Sequence, residues 1–412
     1  EGLPYLQKAD ANGTFSSKAS LYYGKALCAL ERYDEAQEVL DRAIRVWTQD
    51  VELNFCLGEL LVQLGKEEEA IHILETAILP SNTPCEWLIL YVRAILGKDS
   101  ILFSDKTFDS YRLTNALHTL ERILILDPNN LEARLRLAEI LAYQENYQSA
   151  FEIYTRLAEI VETVAPDWHW RVQSGLGLCA LHLGHFDMAI AALQEAIKDH
   201  SDQAALHRLL AKAYLSANLV REALQTAREA LSLAPNNLEM LAWFADFAML
   251  VEADDEAINA LKCATQLAPQ DSAYWVRLAE LQYQVGDLEN AQKSLQTLQE
   301  LPDVSKEVLR TAAGLYLKLD QPQTSLACIE RAISMETQYD PVLGFERAYL
   351  FAILGNFSRA LEELDSVEEA VPNDPSVLVF EADLMMTLER HQAAQACLNR
   401  ALPCFDDPKW SN

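Results

Sequence analysis

Apolar residues recur along this chain three and four positions apart, with polar residues filling the intervals. Pairs such as Ala36 and Leu40, Ala70 and Leu74, Ala189 and Leu193, and Ala257 and Leu261 share one face of a 3.6-residue helix. The spacing predicts helices throughout and does not follow strand alternation. The pattern also returns at longer range. ALERYDEAQEVLDRAI from Ala29 reappears as QLGKEEEAIHILETAI from Gln63, a step of 34 residues. At this period a column of small residues runs Ala36, Ala70, Ala116, Ala150, Ala189, Ala223, Ala257, Ala291, Ser325, Ala360 and Ala394.

A second small column precedes the first by 12 residues in most repeats: Gly24, Gly58, Ala138, Gly177, Ala211, Ala245, Ala279, Ala313, Ala348 and Ala382, broken by Tyr91. Small side chains at both places let neighbouring helices approach closely, because interaxial distance follows the contact residues. Punctuation agrees. Asp127-Pro128-Asn129-Asn130 and Ala234-Pro235-Asn236-Asn237 predict a helix stop followed by a new start. Leu64-Gly65-Lys66, Leu183-Gly184-His185, Val285-Gly286-Asp287 and Leu354-Gly355-Asn356 predict the turn within a repeat, where glycine suits a left-handed residue after a helix end.

These two columns, the further alanines Ala43, Ala77, Ala196, Ala230, Ala264, Ala332 and Ala401, and the prolines Pro128, Pro235, Pro269 and Pro372 resemble the tetratricopeptide repeat family. The aromatic residue that the family carries early in its first helix is present here only as Trp87 and Trp275. The resemblance implies an all-α fold: a right-handed superhelical solenoid of about eleven helix-turn-helix repeats, its concave wall built from the first helix of each. The array is expected to run continuously over 17–406, after a lead-in at 1–16 and before a tail at 407–412.

Two stretches depart from the period. About 13 extra residues lie between Lys98 and Arg112 in KDSILFSDKTFDSYR, and Ile101, Leu102, Phe103 and Phe108 make this insertion too apolar for a solvated loop. Either the helices lengthen and these residues pack on them, or they form an arm over the groove. An extra five residues near 162–171 carry Pro166, Trp168 and Trp170, which could form a binding edge but are expected rather to seal a widened gap between repeats.

Composition narrows the function. The 412 residues carry a formal charge of −29, which would repel a polyphosphate unless a basic patch were set aside, and no run of basic residues is present. A nucleic-acid partner is therefore not expected. The charge serves solubility and would favour a basic protein ligand. No stretch approaches the length of an apolar membrane span. Eight scattered cysteines contain no C-x-x-C pair, which points to free thiols in a reducing, cytoplasmic setting. The final FDDPKWSN is not a polar-faced cap, so self-association through uncapped ends is an expectation.

Searches for chemistry return little. H-E-x-x-H, Walker-type and G-x-S-x-G motifs are absent from the sequence. Gly175-Leu176-Gly177 lies inside a helical pattern and is expected to serve packing. His182 and His185 flank a turn without a carboxylate or cysteine at useful spacing, so no metal and no cofactor are expected. The chain is expected not to be an enzyme. It is expected to be an interaction scaffold or the helical regulatory arm of a larger protein; an α-toroid hydrolase is the more distant alternative.

The informative face follows the second small column by one residue. One helical step turns by about 100°, away from the tight contact. The positions are Lys25, Glu59, Val92, Glu139, Leu178, Lys212, Asp246, Glu280, Gly314, Tyr349 and Asp383. Five of these eleven are acidic and two basic, so the wall leans acidic. With Phe55, Tyr283, Phe345 and Tyr349 as anchors, it would suit a helix or extended segment carrying Lys, Arg and apolar residues. Arg208 and Lys212 lie one turn apart and form the basic exception. The preceding repeat offers only Ser174 and Leu178 beside them, so the family's clamp for a peptide carboxylate is not expected.

Overall fold

The computed structural model describes residues 16–78, 83–97, 99–103 and 107–404, and every regular element among them is helical. Most of the 1–16 lead-in, Lys98, part of the insertion and the 407–412 tail lie outside the described residues. The chain divides into two compact units, Glu1–Leu233 and Ala234–Asn412.

In the first unit α1 (Ser17–Ala29) pairs with α2 (Tyr33–Val46), α3 (Val51–Gln63) with α4 (Glu67–Ile78), and α5 (Cys85–Leu96) with α6 (Ser110–Leu126). There follow α7 (Leu131–Tyr143) with α8 (Tyr147–Val164), α9 (His169–His182) with α10 (Phe186–Asp199), and α11 (Ala204–Ser216) with α12 (Val220–Leu233). First helices of successive repeats also touch: α1 with α3, α3 with α5, α7 with α9, and α9 with α11. Among its described residues the second unit holds five further hairpins. These are α13 (Leu238–Leu250) with α14 (Asp254–Leu267), α15 (Ser272–Gln284) with α16 (Leu288–Glu300), α17 (Lys306–Lys318) with α18 (Pro322–Ser334), α19 (Pro341–Ile353) with α20 (Phe357–Ala370), and α21 (Pro375–Thr387) with α22 (His391–Ala401).

The small columns are the seams of these hairpins. All eleven residues of the alanine column, Ala36 to Ala394, are at most 1% exposed. The glycines of the second column face leucines four residues past that alanine. A methyl group on Gly24 would lie 2.6 Å from Leu40, and one on Gly177 would lie 2.6 Å from Leu193. The one serine of the column is accommodated by a hydrogen bond, Ser325 Oγ donating to the Ala313 carbonyl at 2.8 Å. Tyr91, which breaks the second column, is buried with its hydroxyl 3.2 Å from Glu75.

Helix ends follow ordinary capping chemistry. Asn130 and Asn237, each closing one of the stop-and-start motifs, accept from the N–H of Ala133 at 3.0 Å and of Met240 at 2.9 Å. Apart from the connection that carries the insertion, each turn within a hairpin uses one left-handed residue. Gly65 (φ 73°) fits that need, but Glu31 (φ 58°), Glu145 (φ 62°) and Glu252 (φ 59°) hold the same conformation without being glycine. In both cases the N–H of the following residue returns to the helix, Lys66 to the Leu61 carbonyl at 2.9 Å and Arg32 to the Leu27 carbonyl at 3.0 Å.

Both departures from the period are absorbed by packing. Helix α8 runs for 18 residues and a 3₁₀ turn, Pro166–Trp168, joins it to α9. Trp168 packs half-buried against the core of this region. Helix α6 lengthens to 17 residues, and the insertion forms a 3₁₀ turn over Ile101–Phe103. Ile101 is 1% exposed, so it belongs to the core and cannot contact a partner as an arm would require. Phe108 packs edge-on against Tyr143, with ring centres 5.8 Å apart.

Candidate functional site

The eleven residues one step past the second small column divide by environment. Lys25, Glu59, Lys212, Asp246, Gly314, Tyr349 and Asp383 are exposed, Leu178 and Glu280 half-buried, and Val92 and Glu139 buried. Three surface depressions open on this column. Lys25 and Glu59 border the first together with Cys28, Tyr33 and Gln63. Leu178 and Lys212 border the second with Leu102, Phe103, Ala205, Arg208 and Leu209. Gly314 and Tyr349 border the third with Arg310, Leu317, Phe345 and Glu346.

In the third depression, of about 200 Å³, Gly314 forms part of the floor. A methyl group there would meet nothing within 4 Å. Glycine in a helix interior costs roughly 0.5–1 kcal/mol relative to alanine, and no close neighbour at Gly314 requires it. The walls are apolar and aromatic: Phe345 and the exposed Tyr349 both lean on Phe380, with ring centres 5.5 and 5.7 Å away. Arg310 and Glu346 neutralise each other at the rim, Nε lying 3.1 Å from the carboxylate. Of the other anchors expected from sequence, Tyr283 stands under the Lys318 ammonium, 5.7 Å from its ring centre. Phe55 is stacked on Trp87 at 4.4 Å, so it joins adjacent first helices and only part of it faces out.

Two of the expected acids need comment. Asp246 is exposed and ion-paired with Arg277 of the next repeat. Glu139 is corrected: it is 0% exposed and cannot steer a ligand. Its carboxylate accepts from Arg136 at 3.3 Å and from Arg171 at 2.7 Å. Arg136 and Arg171 were not singled out in the sequence, because buried charge leaves no mark on a hydrophobic pattern. Their function is architectural. Arg136 also donates to the carbonyls of Gly97 at 2.8 Å and Asp99 at 2.7 Å, which pins the start of the insertion to α7.

That pinning determines what the second depression contains. Leu102 and Phe103 stand at its edge, and Phe103 reaches Trp170, ring centres 6.3 Å apart. Trp170 in turn meets His200 at 4.6 Å. The insertion residues and the basic pair Arg208 and Lys212, far apart in sequence, thus border one depression. Burial and the neighbouring Arg208 guanidinium hold the Lys212 ammonium below the usual lysine range. His182 stacks on Tyr147 at 4.0 Å, and among the described residues no group of three or more His, Cys, Asp or Glu is placed to hold a metal ion. The two glycines of Gly175-Leu176-Gly177 lie beneath Tyr154 and Leu193 respectively.

No helix among the described residues is long and apolar enough to cross a membrane. Two tetratricopeptide repeat models match residues 23–84 and 130–198, and a model of ChAPs, the Chs5p-Arf1p-binding proteins, matches residues 177–338. Among curated relatives, the CTR9 homolog of Arabidopsis thaliana is 23% identical over 73% of this chain and 28% of its own length. The TPR repeat-containing protein YpiA of Bacillus subtilis is 24% identical over 65% of this chain and 67% of its own. A TPR repeat-containing protein of Treponema pallidum is 23% identical over 96% of this chain and 51% of its own. The chain thus spans between about a quarter and two thirds of the length of these relatives. Among the described residues, eleven hairpins with buried small columns, together with these matches, show that the chain carries tetratricopeptide repeats.

Proposed function

We propose that this chain is a non-enzymatic interaction scaffold that seats a partner peptide or helix along the groove lined by the first helices of its repeats. The observation that carries the reading is the placement of three depressions on the column one residue past the small contact. In the second unit the partner would offer an apolar side chain to Gly314, Phe345 and Tyr349, and basic side chains to Asp246, Glu280 and Asp383. The match to a family named for binding Chs5p and Arf1p supports a protein ligand.

The test is positional. A photo-cross-linking residue is placed at Gly314 and, separately, at Asn259, exposed on α14. A partner captured from a cell extract should cross-link from 314 and not from 259. Cross-linking from 259 alone would overturn the groove reading. A second reading, a helical regulatory or targeting arm of a larger protein, draws support from the small share of the Arabidopsis and Treponema relatives that the chain spans. Fusion to a reporter and comparison of its activity or location with and without residues 17–404 would test that role.

A further inference from the structure

The column one step past the small contact has a hole in it. On either side of Gly314 the column carries side chains, Glu280 and Tyr349, and Gly314 carries none. The depression over Gly314 passes between α17 and α19 and ends on Ile329 of α18, a core residue. Exposed apolar side chains continue from it. Tyr349 and Ile353, one turn apart on α19, are exposed, as are Val379 and Met386 on α21. Val379, Asp383 and Met386 lie at helical spacing on one face of α21. Phe380 carries both Phe345 and Tyr349 on its ring and so joins the two helices. Apolar residues gathered in this way, and not scattered singly, mark an interaction surface.

Charge sets what this surface accepts. Glu346 at the rim is already paired with Arg310. Asp383 is exposed between Val379 and Met386, and among the described residues no ion pair engages it. A patch that is apolar except for one carboxylate is complementary to an apolar face bearing one cation. The chain's charge of −29 disfavours both a second copy and an anionic lipid surface as the cover. The ligand's conformation follows from its backbone. An extended segment laid over Tyr349, Ile353, Val379 and Met386 would find few partners for its N–H and C=O groups, whereas a helix satisfies its own. From α17 to α21 are two helix spacings, roughly 16–20 Å at 8–10 Å each. A helix covers that distance in about 11–13 residues.

We propose that α17, α19 and α21 bind an amphipathic helix of a partner protein. One large apolar side chain of that helix fills the hole over Gly314, further apolar residues cover Tyr349 and Met386, and a lysine or arginine about three turns away pairs with Asp383. The proposal rests on the scaffold reading and deepens it, by giving the partner segment its conformation, its anchor and the place of its charge.

Fluorescence anisotropy with the full chain tests this. The probes are two fluorescein-labelled, end-capped alanine–glutamine helices, each with three leucines on one face and a lysine three turns from the outermost leucine. The lysine stands near the N-terminus of one and the C-terminus of the other, so that both directions of binding are covered. Counterparts carry glutamate for the lysine, alanine for the outermost leucine, or the same residues in scrambled order. The better lysine helix should bind at least tenfold more tightly than its glutamate and scrambled counterparts. Asp383→Lys should reverse the preference in favour of the glutamate helix. Gly314→Leu should weaken the lysine helix at least tenfold and Tyr349→Ala several-fold, with helicity unchanged, while Glu59→Lys in the first unit should have no effect. Equal binding of the scrambled helix, or a preference for lysine that survives Asp383→Lys, would overturn the proposal. So would a dimer in sedimentation that Tyr349→Asp disperses, since a second copy would then cover the patch. A partner that cross-links from Gly314 while both lysine helices fail would leave the groove reading standing and this ligand wrong. Helices that bind as expected while the partner cross-links from Asn259 alone would do the reverse.

Discussion

The Arg171 guanidinium donates through both Nε and Nη2 to a single oxygen of Glu139, at 3.1 and 2.7 Å, with both side chains almost out of water. Arg136 approaches the other carboxylate oxygen at 3.3 Å. One buried acid thus joins α7 to α9 and balances the guanidinium that grips the insertion. Removing such a partner leaves buried charge uncompensated, typically at about 3–5 kcal/mol. Glu139→Gln is expected to destabilise the first unit by that order in urea unfolding, and to speed amide exchange over residues 99–103. The triple change Arg136→Met, Glu139→Leu, Arg171→Leu should recover most of the stability, because a well-packed apolar replacement is often neutral. Exchange at 99–103 should stay fast in the triple variant, since the Gly97 and Asp99 carbonyls would still lack their donor.

The seam of the hairpins makes a packing prediction. A methyl group on Gly177 would lie 2.6 Å from Leu193 and 3.3 Å from the Ala189 carbonyl. Gly177→Ala should therefore destabilise by roughly 1–3 kcal/mol, the usual cost of overpacking, despite alanine's better helix propensity. Leu193→Ala costs on its own by leaving a cavity. The two together should cost less than the sum, because residues in contact couple. Full additivity in thermal melts would show that Gly177 and Leu193 do not share the contact.

Most of the architecture was legible because it rests on local periodicity. Ala36, Ala70 and their successors recur at one phase, and small side chains on a helix have little use other than close approach. The turns were half legible: Gly65 and Gly184 announce a left-handed residue, whereas Glu31, Glu145 and Glu252 adopt it because the returning N–H bonds outweigh the local strain. The site was harder to read. Glu139 follows the small column as Glu280 does, but it is buried between Arg136 and Arg171. The meeting of Phe103 with Arg208 and Lys212 depends on an insertion that breaks the very period used to align the chain. No rule of helical spacing places a turn at 101–103 against α11.

Gly314 offers the opposite expectation to Gly177. Its added methyl group would meet nothing within 4 Å. Gly314→Ala should raise stability by roughly 0.5–1 kcal/mol through backbone entropy alone. Gly314→Leu should be tolerated by the fold and fill the floor between Phe345 and Tyr349, reducing partner binding at least tenfold. A Gly314→Leu variant that folds and still binds its partner as wild type would remove this depression from the groove.

Lys212 gives the stability of the fold a pH dependence. Burial and Arg208 hold its ammonium below the usual lysine range, so the folded chain binds this proton less tightly than the unfolded chain does. The sign follows from linkage. Below the folded value the lysine is charged in both states and the full penalty falls on the fold; the penalty fades as pH rises through the folded value towards the unfolded one. Lys212→Met keeps the length and apolar stem while removing the charge. It is expected to melt above wild type at pH 7, with the difference shrinking as the pH enters the alkaline range. Melting at or below wild type at pH 7 would mean that the Lys212 ammonium carries no net penalty in the fold.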